Sequence, residues 1–120
     1  MEKYNFDEAF CPQYHRAIEI VGRRWSGAIL RALMYGATRF VQIRQTIPEL
    51  SDKMLSTRLR ELEADGLVVR TVVPDTPVRI EYRLTDKGLD LEKAVASLSD
   101  WADRWITEDE ITPPSESAAS

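Results

Sequence analysis

Residues 50–69 have the sequence LSDKMLSTRLRELEADGLVV, which contains a helix together with the residues that begin and end it. Ser51 is a favourable N-cap, and Gly66 is a residue type at which helices commonly stop. Between them, three leucines recur at helical spacing and share one side: Leu55, Leu59 and Leu62. The stretch therefore predicts an amphipathic helix over 51–65 whose leucines face a core.

The opposite side of this helix is mostly polar and carries three basic residues. A projection at about 100° per residue places six side chains there or at its flanks: Lys53, Met54, Ser56, Thr57, Arg58 and Arg60. They offer donors for phosphates and base edges, and a methionine that can contact thymine methyl groups. A solvated amphipathic helix with charge pairs four residues apart would have the same pattern. This helix alone therefore leaves a nucleic-acid contact and a solvated surface both open.

Three helices are predicted before this segment. Cys11-Pro12 is typical of a helix start, because proline is well tolerated at the first helical position, and this helix ends near Gly22. The second runs from about Trp25 to Gly36. After a short extended piece over 38–40, Phe40, Ile43 and Ile47 outline a third, short helix that Pro48 closes.

A hairpin and a last helix follow. Residues 67–73 are rich in β-branched side chains and predict a strand, 74–77 predict a turn, and apolar and charged residues alternate from Arg79 to Leu84. Thr85 is expected to cap one long final helix. The order predicts a mainly α-helical chain with a small β-hairpin, the winged helix-turn-helix fold, with extra helices at both ends.

The domain organisation follows from length and composition. A chain of 120 residues is enough for one domain with one core. We expect an N-terminal arm over 1–10, the winged helix domain over 11–106, and a disordered tail over 107–120 that is acidic and rich in Ser, Pro and Ala.

The net charge of −4 hides an asymmetry along the chain. Residues 23–87 hold 12 lysines and arginines against 8 acidic residues, whereas 1–22 hold 2 against 4 and 88–120 hold 2 against 8. The middle is therefore basic and both ends are acidic. Because phosphate binding depends on the local surface rather than on the whole-chain charge, a nucleic-acid partner remains compatible with the composition.

Several other classes of protein are disfavoured. No apolar run approaches the roughly 20 residues of a membrane span, and residues 1–10 lack the apolar region of a signal peptide. The single cysteine, Cys11, cannot form a disulfide within the chain, so a cytoplasmic location is expected. One Cys and one His are too few for a zinc site. We expect no metal, no cofactor, no membrane partner and no enzymatic activity.

Three arginines outside the main helix are further candidates for contacts with DNA. Arg79 follows the hairpin turn, from which a guanidinium can reach an adjacent minor groove. An edge-strand charge that blocks aggregation is the other explanation for Arg79. Arg39 and Arg44, before and within the third helix, are placed to hold phosphates. With these, the candidate DNA-binding residues are Arg39, Arg44, Ser51, Lys53, Met54, Ser56, Thr57, Arg58, Arg60 and Arg79.

The sequence resembles the HxlR family of regulators over about residues 11–105. The resemblance rests on 51–69 and on further stretches in the same order: Cys11-Pro12, Gly22-Arg-Arg-Trp25, Arg39-Phe40, 74–79, Glu81-Tyr82, 84–88, Trp101 and Trp105. It implies a bacterial, homodimeric, DNA-binding transcription regulator with a winged helix fold. In a subset of that family the cysteine in the position of Cys11 senses oxidants or electrophiles.

Dimerisation also has an argument from the residues themselves. The last helix carries an apolar stripe that includes Trp101 and Trp105, and a small domain cannot easily bury so much aromatic area against itself. Pairing with the first helix of a second copy would bury it in a C₂ dimer. Packing against the first helix of the same chain is the alternative. The predicted dimer face consists of Tyr14, Ile18, Val21, Leu91, Val95, Leu98, Trp101 and Trp105.

Cys11 has two interpretations. At a helix N-terminus the dipole and the free N–H groups favour a thiolate, and His15 lies one turn further on, which favours a redox sensor. An inert cap cysteine would occupy the same position.

Two classes of function remain after this reasoning. The first is a DNA-binding regulator that acts as a homodimer on an inverted repeat, with Cys11 as a candidate redox sensor. The second is a winged helix that contacts other proteins and does not bind DNA.

Overall fold

The computed structural model describes residues 6–111, which are mainly helical. The six α-helices of this part are α1 (Pro12–Val21), α2 (Ser26–Met34), α3 (Phe40–Thr46), α4 (Asp52–Ala64), α5 (Asp86–Leu89) and α6 (Glu92–Trp105). Two strands, β1 (Val68–Val73) and β2 (Arg79–Leu84), lie between α4 and α5, and short 3₁₀ turns occur at Phe6–Glu8 and Glu108–Glu110.

The core lies where α2, α3 and α4 meet. Leu55, Leu59 and Leu62 of α4 are buried, which confirms the side of the helix predicted to face inward. They belong to one cluster with side chains of the neighbouring helices, among them Ile29, Leu30 and Ile43. Because the leucines recur at helical spacing, burying them turns the opposite side of α4 to the surface.

The two strands form an antiparallel hairpin that begins directly after α4. Gly66 has φ 79°, a left-handed conformation that favours glycine, and its N–H donates to the carbonyl of Glu63 over 2.9 Å. Register runs from Val68 opposite Leu84 to Val73 opposite Arg79. The helices α2, α3 and α4 and this hairpin make the winged helix-turn-helix fold, as the sequence predicts, and α1 precedes it as an extra helix. Residues 68–84 are called the wing below.

The short extended piece predicted over 38–40 does not form a strand. Arg39 has an extended backbone, but Phe40 is already the first residue of α3. The Tyr82 N–H donates to the Thr38 carbonyl over 2.7 Å, so the segment meets the edge of β2 through a single backbone hydrogen bond.

The prediction of one long final helix capped by Thr85 was wrong. Thr85 caps the short helix α5, whose Gly88 N–H donates to the Thr85 hydroxyl over 3.1 Å. At Leu91 the N–H then bonds to the carbonyl of Gly88, three residues back, over 3.1 Å. This tighter turn interrupts the i to i−4 pattern, and α6 starts anew at Glu92.

The ends of the chain are described only in part. Residues 1–5 of the predicted arm and 112–120 of the predicted tail lie outside the described residues. Between residues 6 and 111, none of the helices has both the length and the apolar character needed to cross a membrane.

A glycine holds α5 against the start of the wing. A Cβ added at Gly88 would overlap the carbonyl oxygen of Leu67, whereas at Gly27 in α2 the nearest atom would be 3.8 Å away. We expect Gly88→Ala to lower the free energy of unfolding by about 1–3 kcal/mol, because backbone must move to make room. Gly27→Ala, the matched control, should be neutral or stabilising by up to about 1 kcal/mol. Urea unfolding followed by circular dichroism measures both, and equal stabilities would contradict this packing.

Candidate nucleic-acid interface

The outward side of α4 presents a compact set of polar side chains. Ser51 caps the helix, since its hydroxyl accepts the Met54 N–H over 3.1 Å. The Thr57 hydroxyl donates to the Lys53 carbonyl over 3.0 Å and keeps its lone pairs for a further partner. Within residues 6–111, Lys53 and Arg60 are exposed and form no ion pair. The open side of α4 consists of Lys53, Ser56, Thr57 and Arg60.

Two of the six side chains predicted for this surface are directed elsewhere. The Arg58 Nε donates to the backbone carbonyl of Arg24 over 2.8 Å, and its Nη1 donates to Glu61 over 2.6 Å. Met54 packs against the hydrophobic core. Both residues lie at the flanks of the helical projection, where contact with a neighbouring segment decides which way a long side chain turns. Arg58 and Met54 are therefore left out of the open side of α4.

The two arginines predicted near α3 are both exposed. Arg39 is the N-cap residue of α3, and its backbone N–H donates to the Gln42 side chain over 3.0 Å. The Arg44 Nε lies 2.8 Å from Asp52 in the first turn of α4. Since this ion pair is solvent-exposed, it contributes little stability, and a phosphate can compete for the guanidinium at small cost.

Arg79 of the wing lies between two carboxylates. Its Nη1 is 2.8 Å from Asp75 in the turn, and its Nε is 3.0 Å from Glu81 on the same strand. Glu81 also accepts from Arg83 over 2.9 Å. Hydrogen bonds from Arg83 first and Arg79 second hold the pKa of Glu81 below its usual value. The guanidinium of Arg79 is therefore flanked by one carboxylate from the turn and one from its own strand.

The predicted dimer face is largely uncovered in the single chain. Neither α1 nor α6 contains a buried residue. The exposed fractions are 68% for Tyr14, 67% for Leu98, 53% for Trp101 and 61% for Trp105. Val21 and Leu91 pack partly against the core of their own chain. Part of the predicted dimer face therefore packs against the core of its own chain, and its aromatic and aliphatic remainder is exposed to solvent.

Cys11 is an exposed, free thiol at the start of α1. Its Sγ accepts the Tyr14 N–H over 3.5 Å, as an N-cap side chain does. The His15 ring lies 5.3 Å from the ring of Phe10, and its Nε2 is 4.0 Å from Glu19. Cys11 therefore has both the cap geometry and the solvent access that its two interpretations require.

The sequence reasoning missed a group of charged side chains behind α4. Arg23, in the loop between α1 and α2, contacts both Glu61 and Asp65. The available signal was two carboxylates four residues apart on α4, but nothing local indicates a partner 38 residues away along the chain. No group of three or more potential metal ligands occurs among the described residues.

Comparison with known proteins assigns the chain to a family. The HxlR-like helix-turn-helix family matches residues 20–110. The HTH-type transcriptional regulator YvaP of Bacillus subtilis is 47% identical over 96 residues, covering 80% of this chain and 89% of that protein. YodB of the same organism is 44% identical over 95 residues, covering 79% and 85%.

Solved structures agree with this assignment. The reduced form of YodB has a TM-score of 0.72 at 43% identity, over 81% of this chain and 95% of that one. The redox regulator HypR in its oxidised form has a TM-score of 0.73 at 35% identity, over 78% and 96%. YodB has also been solved bound to a quinone, with a TM-score of 0.68 at 41% identity, over 80% and 100%. These relatives are transcriptional regulators rather than enzymes, and the chain belongs with them to the HxlR family of helix-turn-helix transcriptional regulators.

Proposed function

We propose that this chain is a sequence-specific transcription regulator that binds an inverted-repeat operator as a homodimer. The observation that carries the proposal is the open side of α4, where polar and cationic side chains lie opposite the buried leucines. The major groove of DNA admits one helix, and hydroxyl and cationic side chains bind base edges and phosphates there. Such a regulator acts in the cytoplasm, where bacterial DNA lies.

Charge on the open side of α4 supports a phosphate partner. Lys53 and Arg60 have no carboxylate partner in the described part of the chain, so no ion pair must break before they bind an anion. Arg39, Arg44 and the wing residue Arg79 supply further exposed or half-exposed guanidinium groups beside α4 or on the wing. The competing protein–protein module would not require cations in this arrangement.

The uncovered dimer face supports a second copy as the partner. Trp101, Trp105 and Leu98 are more than half exposed along one side of α6, and Tyr14 is equally exposed on α1. Exposed aromatic and aliphatic side chains along a helix are typical of an interface with another protein chain. A C₂ dimer would present two α4 helices, whose half-sites would be centred about 34 Å apart, one turn of DNA, or a multiple of that.

Redox sensing at Cys11 is part of the proposal. The chain has one cysteine, so oxidation gives a disulfide only with a second thiol outside the chain, with loss of two electrons and two protons to the oxidant. A quinone instead adds to a single thiolate, forming a carbon–sulfur bond while a proton comes from solvent. Support comes from the exposed N-cap position of Cys11 and from relatives described as a redox regulator and as quinone-bound.

The DNA contact is tested on an operator recovered by selection from random duplexes. We expect Lys53→Ala and Thr57→Ala each to weaken binding, by about 1–3 kcal/mol where the side chain touches a base edge. A base contact relaxes specificity at one position, whereas a phosphate contact weakens binding to all sequences alike. Fluorescence anisotropy titrations at several salt concentrations measure both effects.

Arg79→Ala and Lys93→Ala complete this test. Arg79 is expected to act as a phosphate contact, so its loss should lower the salt slope by about one unit. Lys93 is exposed on α6, and its replacement removes the same charge from a different surface, so binding should stay at the wild-type level. If folded Lys53, Thr57 and Arg79 variants all keep full affinity, α4 and the wing do not form the DNA-binding surface.

The dimer is tested by placing charge on its proposed face. We expect the wild-type protein to sediment as a dimer at micromolar concentration and Trp101→Asp combined with Trp105→Asp to give monomers or insoluble protein, because buried carboxylates lack partners. Lys93→Asp changes the net charge by the same two units on the other side of α6 and should remain dimeric. A well-behaved wild-type monomer would rule out this assembly and the inverted repeat with it.

The sensor is tested with diamide and with benzoquinone. We expect either reagent to change the operator affinity of the wild-type protein, with a disulfide or a quinone adduct at Cys11 seen by mass spectrometry. Cys11→Ser should bind like the untreated wild type under all conditions, because a serine keeps an acceptor at the N-cap but has no thiol. Equal affinity of treated and untreated wild-type protein would make Cys11 an inert cap.

A further inference from the structure

A group of three arginines and two carboxylates joins α1, the α1–α2 loop and α4. Each carboxylate is shared by two arginines: Glu61 by Arg23 and Arg58, at 2.7 and 2.6 Å, and Asp65 by Arg23 and Arg16, at 2.6 and 3.3 Å. Asp65 and Arg58 are the more buried members, with 14% and 18% of their side chains exposed. We call these five residues the arginine–carboxylate cluster.

Arg23 occupies the centre of this cluster. Its Nη1 donates to Glu61 and its Nη2 to Asp65, so one guanidinium spans two side chains that lie one turn apart on α4. The planar fork of arginine holds two acceptors in a fixed arrangement, which the single ammonium of a lysine does not. Two contacts along the axis of α4 resist both rotation and tilting of the helix.

The loop that carries Arg23 is itself fixed. Trp25 has φ 79°, and the Ser26 N–H donates to the Arg23 carbonyl over 3.0 Å. From the opposite direction, Arg58 of α4 donates to the Arg24 carbonyl over 2.8 Å. The loop therefore bonds to α4 through the side chain of Arg23, and α4 bonds to the loop through the side chain of Arg58.

Through this loop, the orientation of α4 is linked to the proposed dimer face. Arg16 lies on α1, two residues from Tyr14 and Ile18 of that face and on the opposite side of the helix, and Arg23 is two residues beyond the end of α1. In a dimer joined through α1 and α6, the separation of the two α4 helices depends on how each α4 is held relative to its own α1.

We propose that Arg23 is a positioning residue that fixes α4 against α1 and thereby sets the half-site spacing that the dimer accepts. This inference rests on the proposed DNA-binding homodimer. Arg23 touches no base in this role and acts through Glu61 and Asp65. Its signature is a change in the preference between operators of different spacing, which a general loss of stability would not produce.

The experiment uses the selected operator and two derivatives, one base pair shorter and one longer between the half-sites. One base pair shifts a half-site by about 3.4 Å and turns it by about 35°. We expect the wild-type protein to bind both derivatives at least about tenfold more weakly, since one half-site is then misplaced. For Arg23→Ala the three affinities should lie within about threefold of one another.

Arg24→Ala is the matched control. Arg24 is exposed, and its guanidinium stacks 4.8 Å from the Trp25 ring instead of pairing with α4. Its backbone carbonyl, which accepts from Arg58, remains in the variant. We expect this protein to lose the same charge and keep the wild-type preference for the selected spacing.

Arg23→Lys distinguishes a bridge between two carboxylates from the mere presence of a positive charge. A lysine reaches one carboxylate at a time, so the spacing preference should weaken as it does in Arg23→Ala, and this variant also serves if the alanine protein does not fold. A wild-type preference in folded Arg23→Lys would overturn the bridging role. So would an unchanged preference in folded Arg23→Ala, or a wild-type dimer that binds all three spacings equally. A wild-type protein that binds no duplex specifically would instead refute the proposed function itself.

Discussion

The rest of the structure depends on the burial of three leucines of α4 between α2 and α3. Leu55, Leu59 and Leu62 are almost inaccessible to solvent, so rotation of α4 about its axis would expose apolar area and cost free energy. Because side chains repeat about every 3.6 residues in a helix, burying the leucines also fixes the orientation of the opposite side of α4, which faces outward. The residues that would contact a partner lie on the outward side, but the buried leucines determine which way that side faces.

The wing is attached to the end of the same helix. The last carbonyls of an α-helix lack partners within the helix, and here two side chains from beyond the hairpin bond to the carbonyl of the C-cap residue and to that of the glycine after it. The Thr85 hydroxyl donates to the Gly66 carbonyl over 2.6 Å, and the Lys87 ammonium donates to the Asp65 carbonyl over 2.7 Å. Helix termination and wing placement are therefore one event, and the wing keeps a fixed position relative to the outward side of α4.

What the sequence could predict was local. The leucine spacing, the Ser51 cap and Gly66 gave α4, and alternation around the 74–77 turn gave the hairpin, because these signals lie within a few residues of what they determine. What the sequence could not show involves contacts between distant segments. Arg58 turns away from the outward side because the Arg24 carbonyl is 34 residues earlier in the chain but adjacent in space. The helix breaks before α6 at the turn between Gly88 and Leu91, where Gly88 lies against the backbone of Leu67, 21 residues earlier in the chain.

The positive charge of the chain likewise cannot be understood from composition alone, because the partners of each arginine depend on the fold. A basic middle of the chain suggested an anionic partner, yet several of its arginines are held by carboxylates of their own chain, including Arg23, Arg58 and Arg79. Those of Arg23 and Arg58 tie α4 to the α1–α2 loop, whereas Arg79 pairs with Asp75 and Glu81 of the wing itself. Lys53 and Arg60 on α4, and Arg39 before α3, form no ion pair among the described residues, so these cations can bind an anion without first breaking one. One residue type thus has two tasks in this fold: Arg23 and Arg58 hold α4 in place, and the proposed phosphate contacts are Arg39, Arg44, Arg60 and Arg79.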